Sequence, residues 1–308
     1  MRSCAVNRAI SAEGVIGLPS LAAARRKQLI GRVAVYGALI FFALVYLFPL
    51  VVMLLTSVKP MPEIHAGNIL ALPAEPTLDP WRASWSTACV GVECVGIRGF
   101  YRNTFIIVIP AVVIATLIGA LNGFALTKFR FPAHRLVFGL ILFGTFTPYQ
   151  AILIPMAATL GKIGLSGSLL GLILVHTIYG LPFTTVFARG FYIGVPEELV
   201  KAAEVDGAGF FRTFWSVMLP ISGPILIVSV IWMFTNIWND FLFGSAYAFG
   251  SNAPIMVALN NVVNTSTGEK PYNVHMASAM LAAIPTLILY VVAGKYFIRG
   301  LMSGSVKG

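Results

Sequence analysis

Residues 195–224 read VPEELVKAAEVDGAGFFRTFWSVMLPISGP, the one long polar interval between apolar runs that carries the pattern of regular structure. Pro196 suits a first helical position, and Glu197 and Glu198 behind it suit the positive end of a helix dipole. Leu199, Ala202, Ala203 and Val205 supply an apolar stripe near helical spacing. Gly207 and Gly209 interrupt that pattern. A second short helix is expected after them, with Phe210, Phe211, Phe214, Val217 and Met218 on or near one face. Pro220 and Pro224 bracket the entry into the next apolar run. The stretch predicts a helix, a glycine turn and a second helix lying at a membrane surface, and an interfacial helix pair that only caps two spans has the same pattern.

Composition sets the surroundings of this stretch. Of 308 residues, 58% are hydrophobic and 10% are charged, against about 25% charged in soluble domains. Six uncharged or nearly uncharged runs are long enough to cross a bilayer, a helix needing about 20 apolar residues to do so. They are Val33–Ser57, Thr104–Leu126, Leu136–Ala158, Leu165–Ala188, Ile221–Asp240 and Met276–Ile298. Pro49, Pro148, Pro155, Pro182 and Pro285 fall inside them, with Gln150 between the two prolines of the third. The expected fold class is all-α, a polytopic membrane protein of six spans. Residues 1–32 form a basic segment ahead of a membrane domain over 33–308.

The net charge of +10 does not mark a nucleic-acid binder, because the cations sit at the ends of apolar runs. With the N-terminus inside, the inner segments hold fifteen of the 21 Lys and Arg residues, including Arg25, Arg26, Lys27, Lys128, Arg135, Arg189, Lys201 and Arg212. The outer segments hold Lys59, Arg82, Arg98, Arg102, Lys162 and Lys270. The bias predicts both termini in the cytoplasm, and with them residues 195–220. Cys89 and Cys94 lie in the long first outer loop, Lys59–Asn103, rich in Pro and Trp. There a local disulfide and two free thiols are both chemically allowed. A loop of that length is expected to be a folded cap or a docking surface.

Asn236, Trp238, Asn239 and Asp240 cluster near the outer end of the fifth span. Amide and carboxylate groups beside an aromatic ring suit a sugar, and an interfacial aromatic belt with a helix-ending Asn-Asp pair reads equally well. Asn122, Gln150, His176 and Thr235 are weaker candidates for a polar path. No acid sits in the middle of a span, which disfavours a self-sufficient secondary carrier. The chain has no G-x-x-x-x-G-K-[ST] phosphate loop, nucleophile–base pair or metal-ligand cluster. No catalytic residue, metal site or resident cofactor is therefore expected, and ATP and Mg would have to be bound by a partner.

Ala202-Ala203, Asp206-Gly207-Ala208 and Leu219-Pro220 resemble the coupling loop of ATP-binding-cassette importer permeases, in which an E-A-A triplet precedes a glycine and a distal Leu-Pro. Lys201 departs from that pattern, since the family's Glu helps dock the loop into a groove of the ATPase. Glu197, Glu198 or Glu204 are the acids left to replace it, unless the partner's charge differs. With Asn239-Asp240-Phe241 and Tyr296-Phe297-Ile298-Arg299-Gly300-Leu301, the chain from about residue 30 onwards resembles the maltose-type sugar permeases. The runs 237–244, 264–268 and 293–296 resemble the glucose/mannose subgroup. The resemblance implies a non-enzymatic pore subunit of the bacterial inner membrane, working by alternating access. It implies a heterodimer with a second permease subunit, two ATPase subunits and a periplasmic sugar-binding protein, all set around the lipid bilayer. It assigns motor coupling to Glu198, Lys201, Ala202, Ala203, Asp206, Gly207, Ala208, Leu219 and Pro220, and contact with the ATPase to the tail Arg299–Gly308.

Overall fold

The computed structural model describes residues 21–129, 131–264 and 270–303, with side chains placed over 28–129, 131–264 and 270–294. The leader up to residue 20 with Cys4, the run 265–268 and the tail 304–308 lie outside the described residues. The described residues fall into two compact units, one up to Val52 and one from Met53 onwards. The helix α1, Leu21–Ser57, starts well before the expected Val33 and runs through the basic cluster at Arg25–Arg32. Its side chains from Gln28 to Val51 are all exposed. From Val33 to Ser57 it carries no charge, and a stretch apolar on every side is built for lipid.

The loop Lys59–Asn103 is folded. The short helices α2 (Met61–His65) and α3 (Asp79–Ser86) lead to a two-stranded antiparallel hairpin of β1 (Cys89–Val90) and β2 (Glu93–Cys94). Cys89 and Cys94 are cross-strand partners joined by a disulfide. Lys59 is buried and donates to the carbonyls of Asn68 at 3.1 Å and Ile69 at 3.3 Å, which gives its ammonium hydrogen bonds in place of water. Trp81 Nε1 donates to Ser57 Oγ at 3.1 Å, and the hydroxyls of Ser84 and Ser278 meet at 2.7 Å.

The remaining helices are α4 (Arg98–Lys128), α5 (His134–Phe146), α6 (Leu153–Lys162), α7 (Leu169–Ile193), α8 (Glu198–Val205), α9 (Phe210–Thr213), α10 (Leu219–Ile221), α11 (Gly223–Trp238), α12 (Leu242–Tyr247), α13 (Ile255–Asn264) and α14 (Tyr272–Ser303). Among the described residues four helices are long and apolar enough to span a membrane, and six spans result if two bent pairs each count as one. The first pair is the third span, broken where its prolines fall, and the second adds a sharp bend ahead of the fifth, which the sequence does not mark. The third turns by 97° between α5 and the α6 segment. Pro148 forces Thr147 into extended backbone (φ −70°, ψ 118°) and removes an N–H, so the helix ends and restarts through a 3₁₀ turn at Tyr149–Ile152. Pro155 sits in the first turn of α6, where its missing donor costs nothing. The fifth turns by 80° at Ser222, so the span proper starts at Gly223 and not Ile221.

Helices α4 and α7 form the centre. Gly119 and Gly123 of α4 lie directly against Thr184 and Ala188 of α7. Thr184 Oγ1 donates across the seam to the Ala115 carbonyl at 2.8 Å. In lipid, close packing and such interhelical hydrogen bonds replace the hydrophobic drive. Asn122 of the polar-path candidates serves here, donating to Thr185 Oγ1 at 3.3 Å.

Candidate functional site

Two features stand out, an elbow before α11 and a cavity beyond it. The elbow starts with α8, which begins at Glu198 and not at Pro196. Its end is a complete Schellman closure. Gly207 N–H donates to Glu204 O at 3.0 Å and Ala208 N–H donates to Ala203 O at 2.9 Å. Gly207 has φ +77°, a conformation in which glycine alone has no Cβ penalty. The spacing of Ala203, Gly207 and Ala208 thus has a local cause. Ala203 supplies the carbonyl that closes the motif, and its small side chain is buried beneath the turn.

The inward face of the elbow differs from the sequence expectation. Val200 and Ala203 are buried, whereas Leu199, Ala202 and Val205 point outward, Val205 being 88% exposed. Both stripes have helical spacing, and the neighbours decide between them. Val200 joins Phe214, Met218, Tyr192, Phe124, Ala120 and Ala188 in one cluster. Phe210 and Phe214 stack on Phe124 at 5.2 and 5.8 Å between ring centres. Phe211, expected on the same face, is exposed instead. Phe210 and Phe214 are four positions apart and share a face, whereas Phe211 sits one position, about 100°, further round the helix. Lys128 Nζ donates to Val195 O and ties the end of α4 to the start of the elbow. Lys201 pairs with Glu197 one turn earlier at 3.7 Å, and both are exposed. Glu198, Asp206, Gly207 and Pro220 are exposed, while Ala208 and Leu219 are half-buried.

The cavity measures about 610 Å³ and is walled by the 3₁₀ turn before α6, the middle of α7, α11 and the start of α12. That volume falls in the ordinary range for small-molecule sites, about 300–1,000 Å³. Its aromatic wall is Tyr149, Tyr179, Phe183, Trp232, Phe241 and Phe243. Trp232 lies against Phe183 with ring centres 4.5 Å apart. Asn236, Asn239 and Asp240 line the cavity, together with His176 and Thr235. Asp240 accepts from Phe243 N at 3.2 Å and Gly244 N at 2.9 Å, capping α12. His176 Nε2 stands 3.8 Å from the same carboxylate, so α7 and α12 meet there. The Oγ1 of Thr235 is buried on this wall with no hydrogen-bond partner among the described residues. Asp240 is the sole carboxylate of the described lining, which contains no Lys or Arg.

Trp238 is a correction. It is fully buried away from the cavity, donates from Nε1 to Ala282 O at 2.9 Å, and packs among Tyr101, Phe105 and Phe234. Trp232, six positions earlier, is the tryptophan on the wall. Gln150 is exposed in the 3₁₀ turn outside the lining.

Comparison with known proteins gives these features a family. The profile of the "binding-protein-dependent transport system inner membrane component" matches residues 111–301. A probable ABC transporter permease of Pyrococcus horikoshii is 37% identical over 279 residues, covering 90% of this chain and 98% of that protein. The xylose/arabinose import permease of Haloferax volcanii is 31% identical, with 88% of this chain and 92% of the relative covered. The fold matches a crystal structure of a bacterial ABC transporter involved in the import of the acidic polysaccharide alginate. There the TM-score is 0.77 at 20% identity, over 89% of this chain and 98% of the other. These relatives are transport permeases and not enzymes. By the match over most of its membrane-spanning length, this chain belongs to the binding-protein-dependent transport system inner membrane components, the permeases of ABC importers.

Proposed function

We propose that the chain is a pore-forming subunit of an ATP-driven importer of neutral sugars, moving them inward by alternating access. One observation carries this reading: the elbow and the cavity share the same helices. Tyr192 at one end of α7 belongs to the elbow cluster, and His176, Tyr179 and Phe183 of the same helix wall the cavity. Helix α11 leaves the elbow at Ser222 and carries Trp232, Thr235 and Asn236 to that wall. A force on the elbow therefore reaches the cavity through rigid elements. The outward stripe of Leu199, Ala202 and Val205, flanked by charged residues, suits a groove on a separate ATPase that binds ATP and Mg. A second permease subunit, two ATPase subunits and a soluble sugar-binding protein complete the proposed assembly. The disulfide hairpin favours an oxidising outer side for the first loop, in keeping with both termini in the cytoplasm of a bacterial cell.

The lining argues for the substrate class. Aromatic faces stack on the C–H side of a sugar ring while Asn236 and Asn239 meet hydroxyls. Among the described lining residues a carboxylate without a counter-cation disfavours uronates and sugar phosphates. Relatives are named for pentoses, diacetylchitobiose and alpha-glucosides. Among monosaccharides, the resemblance of the runs 237–244, 264–268 and 293–296 to the glucose/mannose subgroup favours glucose or mannose.

The test is uptake of radiolabelled sugar in a deletion strain, with neutral and acidic sugars as competitors. Neutral sugars should compete and uronates should not; the reverse order would refute the substrate class. Trp232→Ala and Asn236→Ala should each lower uptake about tenfold, the effect of roughly 1.4 kcal/mol, at unchanged amounts of permease in the membrane. Trp238→Ala should instead lower the amount of folded permease, because truncating a core Trp costs about 3–5 kcal/mol. Immunoblots of membranes beside the uptake assay separate the two effects.

A further inference from the structure

The elbow cluster is apolar except along one line. Tyr192 at the end of α7 and Ser222 at the bend into α11 are both fully buried. Ser222 Oγ lies 2.7 Å from Tyr192 Oη and 2.5 Å from the carbonyl of Met218. A carbonyl can only accept and a serine has one proton, so Ser222 donates to Met218 O and Tyr192 donates to Ser222 Oγ. The chain of bonds thus runs from α7, through the 80° bend, to the last residue of the π turn.

These are the places where the elbow can change shape. A π turn holds one residue more than an α turn, and its conversion would shift the register of α10 and of the bend behind it. Stacked rings such as Phe124, Phe210 and Phe214 can slide over one another. A buried hydrogen-bonded chain is directional, and breaking it strands polar atoms. We infer that the Tyr192–Ser222–Met218 chain is the latch through which elbow movement reaches α11 and the cavity wall, with Tyr192 as a positioning residue for coupling. The inference rests on the proposed reading of the elbow as the contact with the ATPase.

The experiment uses the full importer, purified with its ATPase and binding protein and reconstituted in liposomes. Tyr192→Phe keeps the ring and removes the hydroxyl; Ser222→Ala removes the middle of the chain; Ser222→Thr restores a hydroxyl. Both deletions should assemble in normal amounts and hydrolyse ATP, with sugar imported per ATP lowered about fivefold, within the span seen for mutations that alter coupling between sites. Ser222→Thr should recover most of that ratio, and the double variant Tyr192→Phe/Ser222→Ala should be no worse than either single one. An unchanged ratio in both deletions overturns the latch. So does a parallel fall of assembly, hydrolysis and uptake, which marks a merely structural bond. Failure of the underlying reading looks different: no ATPase co-purifies with the wild-type chain, and substitution of Gly207 leaves uptake intact.

Discussion

Gly207→Val and Gly207→Pro should each reduce sugar uptake to less than about a tenth of wild type while the permease still inserts and still co-purifies with its ATPase. The expectation comes from backbone geometry. At φ +77° an L-residue pays about 1–2 kcal/mol, and a β-branched one pays more. Space is not the obstacle, because a Cβ at Gly207 would meet nothing within 4 Å. Valine therefore acts through strain alone and shifts the turn towards other conformations. Proline adds a second defect. Its ring holds φ near −65° and it lacks the N–H that closes onto Glu204 O. Gly207→Asn is the control, since Asn enters the left-handed region readily and keeps its N–H. It should retain most uptake. Measuring ATP hydrolysis beside uptake decides the matter: hydrolysis that persists without import marks a transmission fault. Full import by the valine and proline variants would show that the elbow does not need its Schellman closure.

The elbow was legible in the sequence because its cause is local. A helix that must end in a tight turn needs a residue without a Cβ four positions after Ala203, and Gly207 is there. The side of α8 that faces inward was not legible. Leu199, Ala202 and Val205 form as good a stripe as Val200 and Ala203, and only the cluster around Phe124 and Tyr192 chooses between them. The same problem recurs in α11. Trp232 and Trp238 are six residues apart, about 240° around a helix of 3.6 residues per turn, so they face different ways. Both flanks of a membrane helix are apolar, and hydropathy cannot say which meets protein and which meets a cavity. Trp238 gave a false signal because its Asn and Asp neighbours do line the cavity while its own ring enters the core. In the third span Pro148 announced a break, but the 97° turn depends on where α7 and α12 leave room for Tyr149. His176 and Asp240 lie 64 positions apart in the chain, and their juxtaposition is purely a product of packing.

Gly119→Val should abolish accumulation of the folded permease, the largest loss expected of any substitution in the membrane domain. The seam between α4 and α7 is where the two helices come closest. A Cβ at Gly119 would overlap the Thr184 hydroxyl and stand 2.8 Å from the Thr184 carbonyl carbon. A Cβ at Gly123 would stand 2.7 Å from Ala188 Cβ and from Arg189 N. Backbone cannot swing aside as a side-chain tip can, so the helices must separate. Overpacking a core usually costs about 1–3 kcal/mol, and here separation would also break the Thr184 bond to Ala115 O. Thr184 is fully buried, and its hydroxyl would be left with only the longer bonds, at 3.2 Å, to the Gly180 and Leu181 carbonyls of its own helix. The loss would spread to both functional features, since α7 carries the cavity wall along its middle and Tyr192 at its end. Gly119→Ala, with one methyl, should leave a reduced but measurable amount of permease. Gly139→Ala in α5 is the control: nothing lies within 4 Å of its Cβ, and alanine favours a helix by about 1 kcal/mol over glycine. Immunoblots of membranes and gel filtration of the detergent extract give the amounts. Equal accumulation of the Gly119 and Gly139 alanine variants would mean that the seam yields where the structure says it is closed, and the α4–α7 packing would have to be redrawn.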